Sequence, residues 1–288
     1  MIIMYTYKKE NYISNLTGNE LSDEVVDIEA FSKNTNQQNT DINYDIWYDR
    51  FTYKRNVKSK LYPDYDINII TFLKDNKIEI KNNYNNTLIS LYKEVDKLSY
   101  IYADWCIKIK PLFYKKENDY IKLSSFFKGA LGEFIWHLYL KLNKKIRISE
   151  NNIQTEYVFS NICMRDSNDI DLGIDNIGEV EIDGKDKHNC IFQFKFYSPF
   201  QSNVMTLKYI QSIHDDGCTN GFIISKDIRV NTFICWFGTD KDVSKWLQRA
   251  TGLNKCIKFI DINTQEINQS NSIISDIINT INNLKNLE

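Results

Sequence analysis

Proline, glycine and long apolar runs are scarce in this chain. Three prolines and ten glycines exclude a collagen-like repeat and argue against a chain made of flexible linkers. The longest apolar stretch, near residues 134–140, is interrupted by His137 and falls short of the ~20 residues needed to span a membrane. The first eight residues are too few and too polar for a signal peptide. The sequence therefore predicts a soluble, cytoplasmic protein without membrane contact.

Histidine is also rare, and cysteine lacks the spacing of metal ligands. The three histidines offer no good candidate for activating a nucleophile. None of the six cysteines stands in a Cys-x-x-Cys pair, so we expect buried thiols in a reducing compartment and no zinc site. A Gly-rich Walker loop is missing as well, so any ATP-driven step would require a separate chain.

Neither sign of charge dominates. The chain has 36 lysines and arginines against 38 aspartates and glutamates, a formal net charge of −2, and a pI near 6.0. A duplex-binding protein usually carries a basic footprint, so the overall balance counts mildly against nucleic acid. A local basic face stays compatible with it, because only charge near the phosphates acts through physiological screening. Hydrophobic residues make up 42%, enough for a core.

Basic side chains are concentrated in three short clusters. The clusters comprise Lys54, Arg55, Lys58 and Lys60; Lys115 and Lys116; and Lys144, Lys145 and Arg147. Such runs usually form a solvated face, and phosphate contact is the functional alternative. Tyr53 and Tyr62 interleave with the first cluster, which suits stacking on unpaired bases. The last cluster follows a predicted helix and is the best placed to flank a cleft, so the nucleic-acid-binding candidates are Lys144, Lys145, Arg147, Lys54 and Arg55.

The N-terminal region is predicted to be largely helical. Residues 32–41 are rich in Asn, Thr and Gln and indicate an exposed loop, whereas residues 67–72 are a plausible strand. Across Leu88–Ile109, apolar residues recur at spacings of three and four. This pattern is typical of a long core helix, and a coiled-coil or subunit contact is the alternative.

From residue 122 onward, predicted helices and strands alternate. A helix over residues 122–142 is followed by elements in the order β-β-β-α-β-β-α-β-α. These elements cover residues 145–149, 169–175, 189–197, 205–214, 221–225, 233–237, 240–249 and 257–262, with a last helix from residue 270. The alternation implies an α/β protein with a mixed sheet flanked by helices.

Three polar motifs lie within this α/β pattern. The first is Gly-Ala-Leu-Gly-Glu, ending at Glu133 in the predicted helix. The second is Asn-Asp-Ile-Asp-Leu-Gly-Ile-Asp over residues 168–175, and the third is Ile-Phe-Gln-Phe-Lys-Phe-Tyr over residues 191–197. Because strand residues alternate between faces, Gln193 and Lys195 project together, and the phenylalanines project to the other face.

A lysine on an apolar strand needs a partner, and a neighbouring carboxylate is the expected one. If the second and third motifs pair as a hairpin, Asp171 lies beside Gln193 and Lys195. Carboxylate and amide oxygens are ligands that Mg²⁺ accepts while keeping several waters. A bound Mg²⁺ polarises a phosphoryl oxygen and lowers the pKa of a bound water.

The order and spacing of these motifs resemble the PD-(D/E)XK restriction-endonuclease-like superfamily, and the Gln-x-Lys variant resembles its Mrr-type branch. The resemblance covers about residues 122–265. It implies a restriction-endonuclease-like core with a central mixed β-sheet flanked by helices. It divides the chain into an N-terminal recognition or partner-binding region, residues 1–120, and a nuclease domain, residues 121–288.

The resemblance also implies a role for each motif residue. Glu133 would order a metal ion or water, and its alternative is a solvated position on the helix. Asp171 would be the central metal ligand, with Asp175 as its rival. Gln193 stands where the family more often has an acid, and Lys195 would be the catalytic lysine. The long interval before Gln193 implies an enlarged hairpin loop near residues 178–188. His137 is interpreted as a structural histidine, with a substrate contact as the alternative.

Taken further, the resemblance implies a Mg²⁺-dependent endodeoxyribonuclease, with Mn²⁺ as a substitute ion. Such nucleases act in restriction or antiviral defence, often beside a helicase or ATPase subunit and in some cases as homodimers. One alternative is an inactive DNA-binding or scaffold protein that keeps the fold, because Gln193 removes a negative charge from the site. Another is a structural subunit assembled through Leu88–Ile109.

Overall fold

The computed structural model describes residues 42, 44–54, 66–83, 87–109, 117–150, 153–164, 174–196, 231–237, 257–261 and 271–287. The helices are α1 (Tyr44–Arg50), α2 (Ile69–Asp75), α3 (Leu88–Ile109), α4 (Glu117–Asn143) and α5 (Asn271–Asn283), the last followed by a 3-10 turn, Leu284–Asn286. The strands are β1 (Thr52–Lys54), β2 (Asp66–Asn68), β3 (Lys145–Glu150), β4 (Ile153–Met164), β5 (Asn176–Ile182), β6 (Lys187–Phe196), β7 (Asn231–Phe237) and β8 (Ile257–Asp261).

Six of these strands form one mixed sheet in the order β3-β4-β5-β6-β7-β8. Strands β3 to β6 form an antiparallel meander, whereas β6, β7 and β8 are parallel to one another. Parallel neighbours need long connections, and residues 197–230 and 238–256 provide them. The prediction of an α/β protein with a mixed sheet is therefore confirmed. A separate two-stranded sheet pairs β1 with β2.

Helices α3 and α4 pack together, α4 also contacts the sheet, and both carry their apolar stripes into the core. The stripe of α3 comprises Leu88, Leu91, Val95, Leu98 and Tyr102, all buried in the chain's own core. The core-helix interpretation of this repeat is confirmed, because the stripe is already covered from within the chain. Polar contacts accompany the packing: the Tyr92 hydroxyl donates to the Gly132 carbonyl at 2.9 Å, and Lys128 Nζ lies 3.3 Å from Asp96 Oδ1.

Helix α4 is close to strand β6, and small and aromatic residues produce this close approach. A Cβ added at Gly132 would lie 3.3 Å from the Cβ of Phe196, so glycine allows helix and strand to touch there. One turn further on, the Trp136 ring stacks on Phe194 at a centroid distance of 6.1 Å. Residues on α4 near Gly132 are consequently held against the carboxyl end of β6.

The first described helix belongs to the same core. Trp47 and Phe51 of the α1 region pack edge-on against Phe134 of α4, with ring centroids 4.7 and 5.4 Å away. At the other end of the chain, Ile80 and Asn282 exchange two hydrogen bonds of 2.9 Å. The core thus extends across the predicted boundary at residue 120, which itself falls inside α4.

Several predicted elements agree with the structure. The helices predicted over Leu88–Ile109 and residues 122–142 are α3 and α4, and the strands near residues 145, 189, 233 and 257 are β3, β6, β7 and β8. The helix from residue 270 is α5. The predicted elements at residues 32–41, 205–214, 221–225 and 240–249 lie outside the described residues.

Two predictions are wrong, for residues 67–72 and for the hairpin loop, and one strand was missed. Residues 67–72 divide between β2 and α2, with Asn68 accepting from the Ile70 N–H as the helix cap. Of the strand expected at residues 169–175, residues 169–173 lie outside the described residues, and residues 174 and 175 precede β5, which begins at Asn176. The hairpin after it has a short turn, residues 183–186, and no enlarged loop, because β5 and β6 pair up to Glu181 and Lys187. Strand β4 was not predicted, since polar residues break its alternation.

The described cysteines agree with the prediction of buried thiols. Cys106, Cys190 and Cys235 are buried, and Cys163 is half-buried. Burial raises the pKa of the Cys163 thiol to about 11, and it also raises the pKa of Cys190 and of Cys235 well above the ordinary value of a thiol. Within the described residues, no helix combines the length and the apolar character that crossing a membrane requires.

Candidate active site

Asp175 and Gln193 form a buried pair where β5 begins. Asp175 directly precedes β5. Its backbone N–H donates to the Phe192 carbonyl at 2.9 Å, which ties this residue to β6. The carboxylate oxygen Oδ2 accepts two hydrogen bonds of 2.5 Å, from Gln193 Nε2 and from the Phe194 backbone N–H. Asp175 is 9% exposed and Gln193 is 2% exposed. Strand β6 therefore fixes this carboxylate in one orientation.

The other polar atom of Gln193, Oε1, is buried without a hydrogen-bond donor among the described residues. Rotating the amide would not help, because Oε1 would then face the Asp175 carboxylate in place of Nε2. A buried acceptor left unsatisfied costs about 1–3 kcal/mol. An amide oxygen held in this way is suited to accept a hydrogen bond or to bind a cation.

Strand β6 separates the polar pair from the helices. Phe194 stacks on Trp136 of α4, and Phe196 stacks on Tyr92 of α3 with centroids 4.8 Å apart. Gln193 projects from the opposite face of the strand, which is also the face of Ile191. Lys195 lies two residues further along β6, and its backbone position pairs with that of Trp236 in β7.

Glu133 lies at the same end of the sheet, on the helical side. It follows Gly132, which packs against Phe196, and its Oε2 accepts from Arg50 Nη1 at 2.6 Å. The Glu133 and Arg50 side chains are 24% and 22% exposed, respectively. Glu133 is thus engaged in an ion pair, and the alternative of a solvated helix position is not favoured.

His137 connects helix α4 to the start of β5. Its Nδ1 lies 3.0 Å from Asn176 Nδ2, and the side chain is 3% exposed. Because an amide nitrogen only donates, Nδ1 accepts, and the proton of the neutral ring lies on Nε2. Burial, together with the Lys141 and Arg50 charges, lowers the pKa of His137 to about 3, and the Asn176 hydrogen bond opposes this shift. The interpretation as a structural histidine agrees with this packing.

The structure therefore brings some predicted site residues together. Asp175 contacts Gln193, and Lys195 continues the same strand, whereas Glu133 lies near the end of that strand on its helical side, across β6 from the pair. Asp171 lies outside the described residues. Among the described histidines, cysteines, aspartates and glutamates, no group of three or more is arranged to hold a metal ion.

The basic cluster after α4 does not flank this pair. Lys145 and Arg147 bind Glu156 at 2.7 and 3.1 Å, and these hydrogen bonds lower the pKa of Glu156. In the strand register, Lys145 is level with Lys187, at the far end of β6. Six residues separate Lys187 from Gln193, or roughly 20 Å of strand. The expected cleft-side position is wrong for these residues, because β3 is the distal edge strand.

The remaining basic candidates are less fully described. Lys144 is exposed and has a positive φ of 53°, between α4 and β3. Lys54 ends β1, and Arg55 lies outside the described residues.

Comparisons of the chain with protein-family models, with curated proteins and with solved structures each found no match. The functional argument therefore depends on the geometry of the site.

Two residues of this site were missed in the sequence. Arg50 reaches Glu133 from 83 residues away, and Asn176 reaches His137 from 39 residues away. The signal for Arg50 was weak: Trp47 and Phe51 lie four residues apart around it, a spacing that indicates one face of a helix. Asn176 follows the Asp-rich motif directly, and its polar character on a buried strand was the available signal.

Proposed function

We propose that this chain is a Mg²⁺-dependent nuclease that hydrolyses phosphodiester bonds of DNA at Asp175, Gln193 and Lys195. One observation carries the proposal. Gln193 of β6 is buried beside the start of β5 and donates a hydrogen bond to the Asp175 carboxylate, and its amide oxygen has no hydrogen-bond donor among the described residues. A buried polar atom without a hydrogen-bond partner destabilises the fold, so we infer that Gln193 has a role in binding or catalysis. Lys195, two residues on, completes the Gln-x-Lys motif.

The topology supports a restriction-endonuclease-like core as part of this proposal. The antiparallel meander β4-β5-β6 continues into the parallel strand β7, and helix α4 packs on the aromatic face of β6. The motif residues lie on the middle strands and on this helix, in the order that the resemblance to the PD-(D/E)XK superfamily implies. Fold alone does not establish activity, so the proposal depends on the site.

The oxygen atoms at the site fit a hard divalent cation. Asp175 would provide a carboxylate and Gln193 its Oε1, both of which are ligand types that Mg²⁺ accepts. When bound, the ion would polarise a phosphoryl oxygen and supply a more acidic water. With an amide where an acid is commoner, the site carries less negative charge, and we expect weak metal affinity.

Each protein group has a separate task in this proposal. The Phe194 N–H and Gln193 Nε2 orient the Asp175 carboxylate before substrate arrives. Lys195 would stabilise negative charge that develops on the phosphate. The ordering of a water by Glu133, which Arg50 holds on the helical side of β6, is proposed from the resemblance alone.

Asp175 is the better candidate for the central carboxylate. It was the rival of Asp171 in the sequence, and its bond to Gln193 Nε2 gives it the position expected of that ligand. Asp171 would then serve as a further acidic group in the segment before β5.

Cleavage of plasmid and single-stranded DNA in Mg²⁺ and in Mn²⁺ tests the proposal. Wild type should cut, whereas Lys195→Ala and Asp175→Asn should be inactive while remaining folded. Asp276→Asn, an exposed helix position, is the matched control and should cut normally. Equal cutting by the Lys195→Ala variant and wild type would contradict the assignment of the site.

An inactive DNA-binding or scaffold protein is the second candidate. Gln193, which stands where an acid is commoner, and the acidic pI near 6.0 favour it. Calorimetric titration with Mn²⁺ separates the two: a nuclease should show a site that disappears in Asp175→Asn, and a scaffold should show none. The wider role in restriction or antiviral defence, with a helicase or ATPase subunit or as a homodimer, is proposed only from the resemblance.

A further inference from the structure

Arg50 lies on the helical side of the sheet, paired with Glu133 near the end of β6, and two aromatic residues hold it there. Trp47 and Phe51 flank it and are buried against Phe134, the residue after Glu133. The Arg50 guanidinium lies 6.0 Å from the centre of the Trp47 ring and donates to Glu133. Helix α1 thereby delivers a permanent positive charge to the end of the sheet where β6 finishes.

The guanidinium has more donors than Glu133 uses. Arginine carries five N–H groups in a planar fork, and the hydrogen bond to Glu133 Oε2 comes from Nη1. The side chain is 22% exposed, so a ligand can reach the outer edge of the fork. Planar forks match the oxygens of a phosphodiester, which is why arginine commonly binds them.

The ion pair itself explains little of the stability of helix α1. A partly exposed pair contributes little, because water competes for both charges. The buried rings of Trp47 and Phe51 hold the helix in place without help from the guanidinium. An arginine held at the site by an acid, yet still reachable, has the properties of a ligand-binding group.

We propose that Arg50 binds a non-bridging oxygen of the DNA phosphodiester, with Glu133 and the Trp47 ring setting the direction of its guanidinium. The inference rests on the proposed nuclease function and deepens it. It makes the N-terminal part of the chain a contributor to binding of the DNA backbone at the end of the sheet where β6 finishes. No new bond is made or broken at Arg50.

Equilibrium binding of a fluorescein-labelled DNA duplex, and of its single strand, tests the inference. Ca²⁺ replaces Mg²⁺ so that binding is measured without cleavage, and the salt concentration is varied. Arg50→Ala should weaken binding by about tenfold and reduce the slope of log affinity against log salt by about one, since one phosphate contact is lost. Lys97→Ala removes another ion-paired cation, 3.8 Å from Glu94, and should change neither quantity.

Arg50→Lys separates charge from shape. It should restore the salt slope but only part of the affinity, because a lysine keeps the charge and loses the planar fork. Circular dichroism establishes that each variant is folded, and Arg50→Gln replaces Arg50→Ala if the latter does not fold.

The outcomes distinguish this inference from the proposed function. If wild type binds and cuts DNA and Arg50→Ala has the affinity and salt slope of Lys97→Ala, the inference is overturned and the nuclease proposal stands. A variant that cuts slowly but binds normally also overturns it, because Arg50 would then act only through Glu133. If wild type neither binds nor cuts DNA, both proposals fail.

Discussion

At the scale of single residues, the Asp175 carboxylate satisfies two donors with one oxygen. Gln193 Nε2 and the Phe194 backbone N–H both reach Oδ2. Removing the carboxylate leaves two buried donors without their acceptor, and each costs about 1–3 kcal/mol. The residue is therefore expected to matter for stability as well as for chemistry.

Asp175→Ala should lower the free energy of unfolding by about 2–6 kcal/mol, the sum over its two donors. Urea denaturation measures the change, and Asp276→Ala, an exposed helix position, should remain within about 0.5 kcal/mol of wild type. A loss at Asp175 as small as that of the control would mean that the two hydrogen bonds add nothing to folding.

His137 provides a prediction about pH. Its pKa is lowered from 6.5 to about 3, so between these values the unfolded chain binds a proton that the folded chain does not. The related stability is complete above pH 6.5 and is lost as the pH falls toward 3. His137→Gln keeps an acceptor for Asn176 and removes the titration, so the wild-type free energy of unfolding should fall more steeply, by up to about 1.4 kcal/mol per pH unit. Parallel pH profiles from chemical denaturation of the two proteins would refute this.

At the scale of single residues, the sequence signal for the candidate site was strongest where it was local. Gln193 and Lys195 are two residues apart on an apolar strand, and that conflict between polarity and pattern is visible in seven letters. Arg50 gave no comparable signal, because its partner is 83 residues away and only the fold brings them together.

At the scale of elements, helix α4 positions both Glu133 and His137. Substitution of its two glycines, Gly129 and Gly132, can measure how closely the helix must approach β6. An added Cβ at Gly132 would lie 3.3 Å from Phe196 Cβ and 3.5 Å from a Tyr92 ring atom. At Gly129, nothing lies within 4 Å. The two positions have the same helical backbone and different surroundings.

Gly129→Ala should raise the free energy of unfolding by up to about 1 kcal/mol, from helix propensity alone. Gly132→Ala should lower it by about 1 kcal/mol, because Phe196 Cβ is fixed to the strand backbone and overpacking then outweighs propensity. Urea denaturation of the two variants gives the signs directly. Two stabilised variants would mean that helix and strand separate easily.

Elements with strong periodicity were predicted from the sequence, and weakly patterned ones were not. Helix α3 repeats its apolar residues at three and four, and its predicted bounds match Leu88–Ile109. Strand β4 mixes polar and apolar residues along its 12 residues and carries a register shift between Ser160 and Cys163. A bulge interrupts the alternation that would have revealed the strand.

At the scale of the whole molecule, one core joins segments that the sequence had assigned to separate regions. Trp47 of α1 and Leu284 after α5 belong to the same buried cluster, and α3 packs along α4. A fragment of residues 117–288 would therefore expose the apolar face of α4.

That fragment should fail to form a compact native state, in contrast to the full chain. Its near-UV circular dichroism should be weak, and it should bind a hydrophobic dye, because Phe134 and Phe127 lose their aromatic partners. A fragment that melts cooperatively and binds no dye would instead support an independent C-terminal domain.

The reciprocal hydrogen bonds between Ile80 and Asn282 have a consequence for synthesis of the protein. They join backbone and amide groups 202 residues apart, and α5 is the last described helix to leave the ribosome. Contacts this distant in sequence form late, since a long loop must close first. A nascent chain can therefore assemble α4 and the meander while its core stays open. The core is therefore expected to close only after α5 has been translated, so a chain cut short before α5 should stay partly open.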